Sequence, residues 1–371
     1  MMKQFYRRPS GPLFARLATL FAVFIFFVRP NYSMAQLSAT QSSFKSDVKT
    51  EVKAATTRKT WNADDVPKSI LAIPTTGNYY APYIFIVDKS DRSLEVWRQS
   101  RPTAKSFEIK RVEGFPADLG KNAGDKVTEG DHKTPEGIYF FLDKLEGANL
   151  DFKLYGNRAY TTNYPNLFDV IDGKTGSGIW LHAVPDEVPL TRGSRGCVVV
   201  RNDVVVSLDP YIQLGKTPIV ISDRIEARPF KDFQAEQSRL TGWLEAWRAA
   251  WTSKDIDAYM NFYDDNFRSA EMGKSDWRNY KQRLNKQYKA IDVRLSEPLG
   301  VEHRGRAIVR FVQNYSSDQL NDTGEKTLHL VSRNGAWKIL SEEWRNDSSD
   351  AARQTILAAN NHEATRPTNA R

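Results

Sequence analysis

A thiol becomes a nucleophile at neutral pH only when a base or a neighbouring imidazolium helps it ionise. The chain has a single cysteine, Cys197, which closes Ser194-Arg195-Gly196-Cys197. His182 stands fifteen residues upstream, after the apolar run Gly178-Ile179-Trp180-Leu181. That separation leaves room for a loop that folds the two side chains together. Val198-Val199-Val200 reads as a buried strand, so Cys197 falls at a turn-to-strand junction. There Gly196 and the amides that follow can aim N–H groups at a developing oxyanion. Arg195 adds a guanidinium fork suited to a substrate carboxylate, or a solvated loop charge. An isolated Cys and His would read as a small buried hydrophobe and a satisfied core histidine. The flanking glycines, the strand and the loop favour a catalytic pair, whose thiol should react with electrophiles well below pH 8. With one cysteine there is no internal disulfide and no dithiol redox couple.

The elements that must position this pair lie upstream. Gly120-Lys121-Asn122, Gly124-Asp125-Lys126, Glu129-Gly130-Asp131, Thr134-Pro135-Glu136-Gly137 and Tyr164-Pro165-Asn166 precede the glycine-rich approach to His182. Together with Ser-x-Gly-Cys they resemble the YkuD-type L,D-transpeptidase catalytic domain, the cysteine enzymes that remodel bacterial peptidoglycan. The resemblance implies a mostly β, sandwich-like domain without cofactor, with Cys197 as nucleophile and His182 as base. It also implies that the backbone carbonyl of residue 183 orients the imidazole. Ala183 stands there where the family usually has Gly; alanine keeps the carbonyl but resists φ > 0. Val199 replaces the Arg or Asn of many members, a change in the substrate clamp. Ser194, Tyr155, Tyr164 and Trp180 are the candidate substrate contacts and groove walls. Asp125, Glu129, Asp131 and His132 do not have calcium-loop spacing, and they read as solvated turn residues, with no metal assigned.

Residues 1–35 read as a signal peptide: a basic start, an apolar core over Leu17–Val28 and small residues at Ser33-Met34-Ala35. That core is short of the ~20 residues of a membrane span, although an uncleaved inner-membrane anchor is the alternative. The protein is thus expected to be exported to the periplasm. The formal charge of +8 includes five basic residues and no acids in the leader, which leaves +3 on the mature chain. Such a mildly basic surface suits an anionic wall and gives no nucleic-acid signature. Residues 36–68 are polar and read as a linker.

Strand-like segments at Tyr83–Val87, Ser93–Trp97, Gly137–Phe141, Ile179–His182, Cys197–Val200 and Ile219–Ile221 define a catalytic domain over 69–225. A second domain over 226–346 begins with helices. Leu240, Trp243, Leu244, Trp247 and Trp251 share one helical face, a second helix spans Ile256–Phe267 and a third Trp277–Tyr288. Alternating strands follow at Ile291–Leu295, Val309–Tyr315, Leu328–Leu330 and Trp337–Ile339, giving an α+β class. This order resembles the nuclear-transport-factor-2-like (NTF2-like) cone that follows the catalytic domain in a branch of proteobacterial L,D-carboxypeptidases and transpeptidases linked to cell shape. Its aromatics read as core, or as a pocket for a wall glycan, peptide or wall-attached protein. His303 and His329 receive no role, and 347–371 reads as a loose polar tail.

The expected chemistry is acyl transfer through a Cys197 thioester on peptidoglycan stem tetrapeptides. An amine acceptor makes the protein a transpeptidase. Water makes it an L,D-carboxypeptidase that trims tetrapeptide to tripeptide. A non-enzymatic wall-binding scaffold is the third possibility, and Ala183 is the residue in its favour.

Overall fold

The computed structural model describes residues 61–364, apart from 76–77 and 104–105. The leader and most of the linker read from the sequence lie outside the described residues. Two short strands come first, β1 (Asp65–Pro67) and β2 (Ile70–Ala72). The first domain follows with β3 (Tyr83–Asp88), β4 (Ser93–Thr103), β5 (Ser106–Pro116) and β6 (Gly137–Glu146). It continues with β7 (Arg158–Thr162), β8 (Trp180–Ala183), β9 (Val198–Val200) and β10 (Pro218–Ser222). All eight join one curled sheet in the order β5-β4-β3-β10-β6-β7-β8-β9. Short helices α1 (Phe152–Tyr155), α2 (Leu167–Ile171) and α3 (Asn202–Ser207) fill the connections. The strand-rich fold expected from the strand-like segments and the family resemblance is therefore present.

Successive residues of a strand point to opposite faces, and here both faces are buried. Phe85, Val87, Tyr139, Phe141, Ile219 and Ile221 enter the core that also holds Leu181, Ala183, Val198 and Val200. Their neighbours Ile84, Ile86, Ile138, Phe140 and Val220 face the other way, into a core shared with Leu299, Val301, Ile308 and Val312 of the second domain. The second domain thus supplies a layer of the first.

That domain runs from β11 (Ala227–Pro229) through α4 (Phe230–Thr252) and α5 (Ile256–Met260) to a small hairpin, β12 (Arg268–Ser269) and β13 (Met272–Gly273). Then come α6 (Lys274–Gln287), β14 (Ile291–Leu295), β15 (Leu299–His303), β16 (Arg306–Ser317), β17 (Asn321–Arg333), β18 (Ala336–Asn346) and α7 (Asp350–Ala364). Its sheet has the order β18-β17-β16-β15-β2, with β14 also on β16. The apolar face of α4, with Leu240, Leu244, Trp247 and Trp251, closes a core with Tyr259, Tyr263, Phe311 and Ile339. The aromatic series therefore builds the cone's interior. Lys281 enters it as a cation: its Nζ lies 4.2 Å from the Trp251 ring and 4.7 Å from Trp277. Burial pushes that ammonium down to about 7.

Four segments depart from the expectation. Ile70–Ala72 pairs with β15, and Asp65–Pro67, within the presumed linker, pairs with β11. The helix from Ile256 ends at Met260, because the Phe262 carbonyl and the Asp264 N–H turn to pair with Ile339 of β18. The polar tail contains α7, whose Ala352, Thr355 and Ile356 are buried. Apolar residues four apart gave that helix a narrow stripe, which only a partner surface makes legible.

Candidate active site

The pairing of β8 with β9 is parallel, with Leu181 opposite Val198 and His182 opposite Val199. Leu181, Ala183, Val198 and Val200 face the core. Alternation then turns Trp180 and His182 to the other face, and one step down the register brings Cys197 beside Trp180. The thiol and the imidazole thus stand on one face of two neighbouring strands, fifteen residues apart in the chain.

His182 is 3% exposed, and its Nδ1 meets the Ala183 carbonyl at 2.6 Å. The carbonyl accepts, so Nδ1 carries the proton and Nε2 is the free base. Ala183 has no positive φ, so its methyl creates no backbone strain. The space for that methyl comes from Gly156, where an added Cβ would stand 2.6 Å from Ala183 Cβ. Tyr155, half-buried on α1, meets the imidazole edge-on at 5.1 Å between ring centres and Trp180 at 4.9 Å. Burial pushes His182 down to about 4 against the pull of the Ala183 carbonyl, with Arg192 lowering it further.

Cys197 points its Sγ at the Gly178 carbonyl, 3.5 Å away. Burial pushes its thiol up to about 11, against the Trp180 backbone N–H and the charges of Arg195 and Lys126. In the unliganded pair burial favours the neutral form of each partner, thiol and imidazole. Arg195 is exposed at the rim and takes no partner among the described residues, so its fork is open to a ligand.

Four sequence-read residues have other work. The Gly196 N–H, expected to face the oxyanion, is bonded to Ser194 Oγ at 3.0 Å. Ser194 in turn donates to the Cys197 carbonyl at 2.7 Å, and its buried hydroxyl braces the Cys197 turn in place of the substrate contact expected of it. The Cys197 N–H takes no partner among the described residues and remains the available donor. Tyr164 is buried, packed on Tyr139, with its hydroxyl on the Thr175 carbonyl, which removes it from any groove wall. Val199 is locked by two backbone bonds to Asp118.

Sequence reasoning missed Asp118. Its carboxylate accepts the Gly193 N–H at 2.8 Å and pairs with Arg92, fixing the loop that delivers Cys197. Its position just before Leu119-Gly120-Lys121 was the signal. Of the acids tested as metal ligands, Asp131 braces a turn: it accepts the Val127 and Thr128 N–H groups and pairs with buried Lys126 at 2.9 Å.

Two family models match the chain. The L,D-transpeptidase catalytic domain (YkuD) covers residues 82–221, and the Cds6 C-terminal NTF2-like domain covers 239–343. Among solved structures, Bd1075 of Bdellovibrio bacteriovorus is 43% identical, covering 77% of this chain and all of its own, with a TM-score of 0.70. The helical cell shape determining protein Pgp2 of Campylobacter jejuni is 26% identical, covering 74% of this chain and 96% of its own, with a TM-score of 0.57. No curated protein matches. With two thirds and more of a relative covered at that identity, and both domains matched in order, the chain belongs to the YkuD L,D-transpeptidase family, in the form that carries a C-terminal NTF2-like domain.

Proposed function

We propose that this protein is an exported, peptidoglycan-remodelling cysteine L,D-transpeptidase that acts on stem tetrapeptides through a Cys197 thioester. The observation that carries the reading is the bond from His182 Nδ1 to the Ala183 carbonyl, which leaves Nε2 as a base on the face where Cys197 stands. In this mechanism Sγ attacks the carbonyl of the L-configured centre of the third stem residue while Nε2 takes the thiol proton. The C–S bond forms, the C–N bond breaks, and the proton leaves on the amine of the departing D-amino acid. The Cys197 N–H steadies the oxyanion; loss of one such donor typically costs about 100- to 1,000-fold in rate. Arg195 receives a substrate carboxylate. An amine acceptor then resolves the thioester into a new peptide bond.

A second reading, hydrolysis of the thioester by water, makes the protein an L,D-carboxypeptidase. The NTF2-like domain favours it, because the two-domain branch that this chain resembles includes carboxypeptidases. The Campylobacter relative is named for determining cell shape, which supports the same role here. The test incubates mature protein and a Cys197→Ala variant with purified disaccharide tetrapeptide, with mass analysis of the products. Cross-linked dimer or exchanged D-amino acid identifies a transpeptidase, and tripeptide alone a carboxypeptidase. Wild type that matches the variant, on sacculi as well, leaves the wall-binding scaffold.

A further inference from the structure

We propose that Arg304, at the tip of the β15–β16 hairpin in the NTF2-like domain, is a positioning residue for Cys197, acting through the segment 120–136 of the catalytic domain. The proposal rests on the thioester reading for its turnover arm. The geometry is that of a strap held at both sides.

On the active-site side, the strap supports the nucleophile's turn directly. Gly120 bridges to Ser194, the Lys121 N–H bonds the Ser194 carbonyl at 3.0 Å, and the Ser194 N–H bonds Leu119 at 2.7 Å. The Lys133 carbonyl lies 2.7 Å from where a Cβ would stand on Gly196, whose φ is +132°. Strap and turn therefore meet backbone to backbone, and a shift of one moves the other.

On the far side the strap ends in Glu136, whose carboxylate is 5% exposed. Lys89 binds its Oε1 at 2.8 Å and also gathers the Gly124 and Thr134 carbonyls at 2.6 and 2.9 Å. Oε2 accepts no aligned hydrogen bond, and the ion pair to Arg304 at 2.8 Å compensates its charge. That pair crosses a hollow. A cavity of about 240 Å³, lined by Asp125, Glu136, Asp169, Lys174, His303 and Arg304, lies between strap and hairpin. Side-chain packing cannot hold the strap where there are no atoms to pack. Charges span the gap instead.

Arg304 also occupies a conformation that its residue type does not favour. Two residues link the paired His303 and Arg306, with φ +50° at Arg304 and +76° at Gly305. Such a turn normally takes Asn, Asp or Gly at its first position. An arginine there reaches across the cavity; an asparagine would satisfy the turn and leave Glu136 Oε2 without its counter-charge. Arg306 makes the control. It pairs with Asp172 at 2.6 Å, joining the same two domains without touching the strap.

The experiment uses the full mature chain with Arg304→Ala, Arg304→Lys and Arg306→Ala. The readouts are the rate of Cys197 alkylation by iodoacetamide at pH 9, kcat and KM on disaccharide tetrapeptide, and Tm. A sub-ångström displacement of a reacting group is expected to cost about tenfold in kcat. Arg304→Ala should show that loss with KM within about twofold, and an alkylation rate changed about threefold or more. Arg304→Lys should restore most of both, and Arg306→Ala should leave both unchanged whatever it does to Tm. The proposal is overturned if Arg304→Ala leaves alkylation and kcat at the wild-type values. It is equally overturned if Arg306→Ala causes the same losses, because the effect is then a general loosening of the domains. If wild type turns over no stem peptide, the thioester reading falls, and the alkylation arm still decides the positioning role.

Discussion

At the residue scale, the resting state of Cys197 and His182 has a measurable signature. An ion pair preformed between thiolate and imidazolium would give an alkylation rate that is flat between about pH 5 and 8. Burial instead pushes Cys197 up to about 11 and His182 down to about 4, so proton transfer waits for substrate. The sign is direct: thiolate is the reactive form, and its fraction grows as pH rises toward the thiol's own value. Iodoacetamide should therefore alkylate Cys197 about tenfold faster for each pH unit between 7 and 9.5. A plateau reached below pH 7 would mean that the pair is already ionised in the free enzyme. With no such plateau, His182 would act as a base within the acylation step and store no charge beforehand. This is compatible with its tautomer, because the Ala183 carbonyl stabilises a protonated Nδ1 in both charge states.

At the element scale, the site depends on backbone conformations that bring loops close to β8 and β9. Gly156 caps α1 with a φ of +65° and lies against Ala183 and Asn202. Gly156→Ala would place a methyl 2.6 Å from Ala183 Cβ in a backbone region that L side chains avoid. Both costs fall on the carbonyl that holds His182. Activity should drop at least about tenfold and stability by about 2 kcal/mol, by chemical denaturation. A companion Ala183→Gly change should recover part of the loss by removing the clash but not the φ strain. If the double variant were no better than the single one, the two positions would not be coupled. These relations also mark the limit of what the sequence made legible. Continuous apolar runs located the strands around His182 and Cys197, and the 3.6-residue period located α4, because those signals are local. The Ser194 brace, the Asp118 loop anchor and the Gly156–Ala183 fit join residues between 3 and 75 positions apart. No periodicity reports such contacts. β2 escaped for a related reason: an apolar triplet looks the same whichever sheet it joins.

At the scale of the whole molecule, the two family domains share one interior. The described residues, from Trp61 onward, pack as a single unit. The face of the first sheet that carries Ile84, Ile86, Ile138, Phe140 and Val220 is covered by residues of β15, β16 and α7. β2, upstream of the catalytic domain, completes the second domain's sheet, so the chain enters one domain only after being stitched into the other. Each fully buried side chain of this size contributes about 1.5–3 kcal/mol relative to exposure. Five such residues on one face amount to something on the order of 10 kcal/mol, comparable to the entire stability of a typical domain. A fragment cut after Asp223 would expose that face and should be insoluble or bind hydrophobic dyes. In the intact chain, neither domain can unfold without stripping the other of its cover. Differential scanning calorimetry of residues 61–364 should therefore give one transition whose calorimetric and van't Hoff enthalpies agree. Two resolved transitions, or a soluble and cooperatively folded 61–223 fragment, would show that the shared core is a contact surface and not a condition of folding. Under the first outcome, a change in the NTF2-like domain reaches Cys197 through the same structure that keeps the catalytic sheet folded.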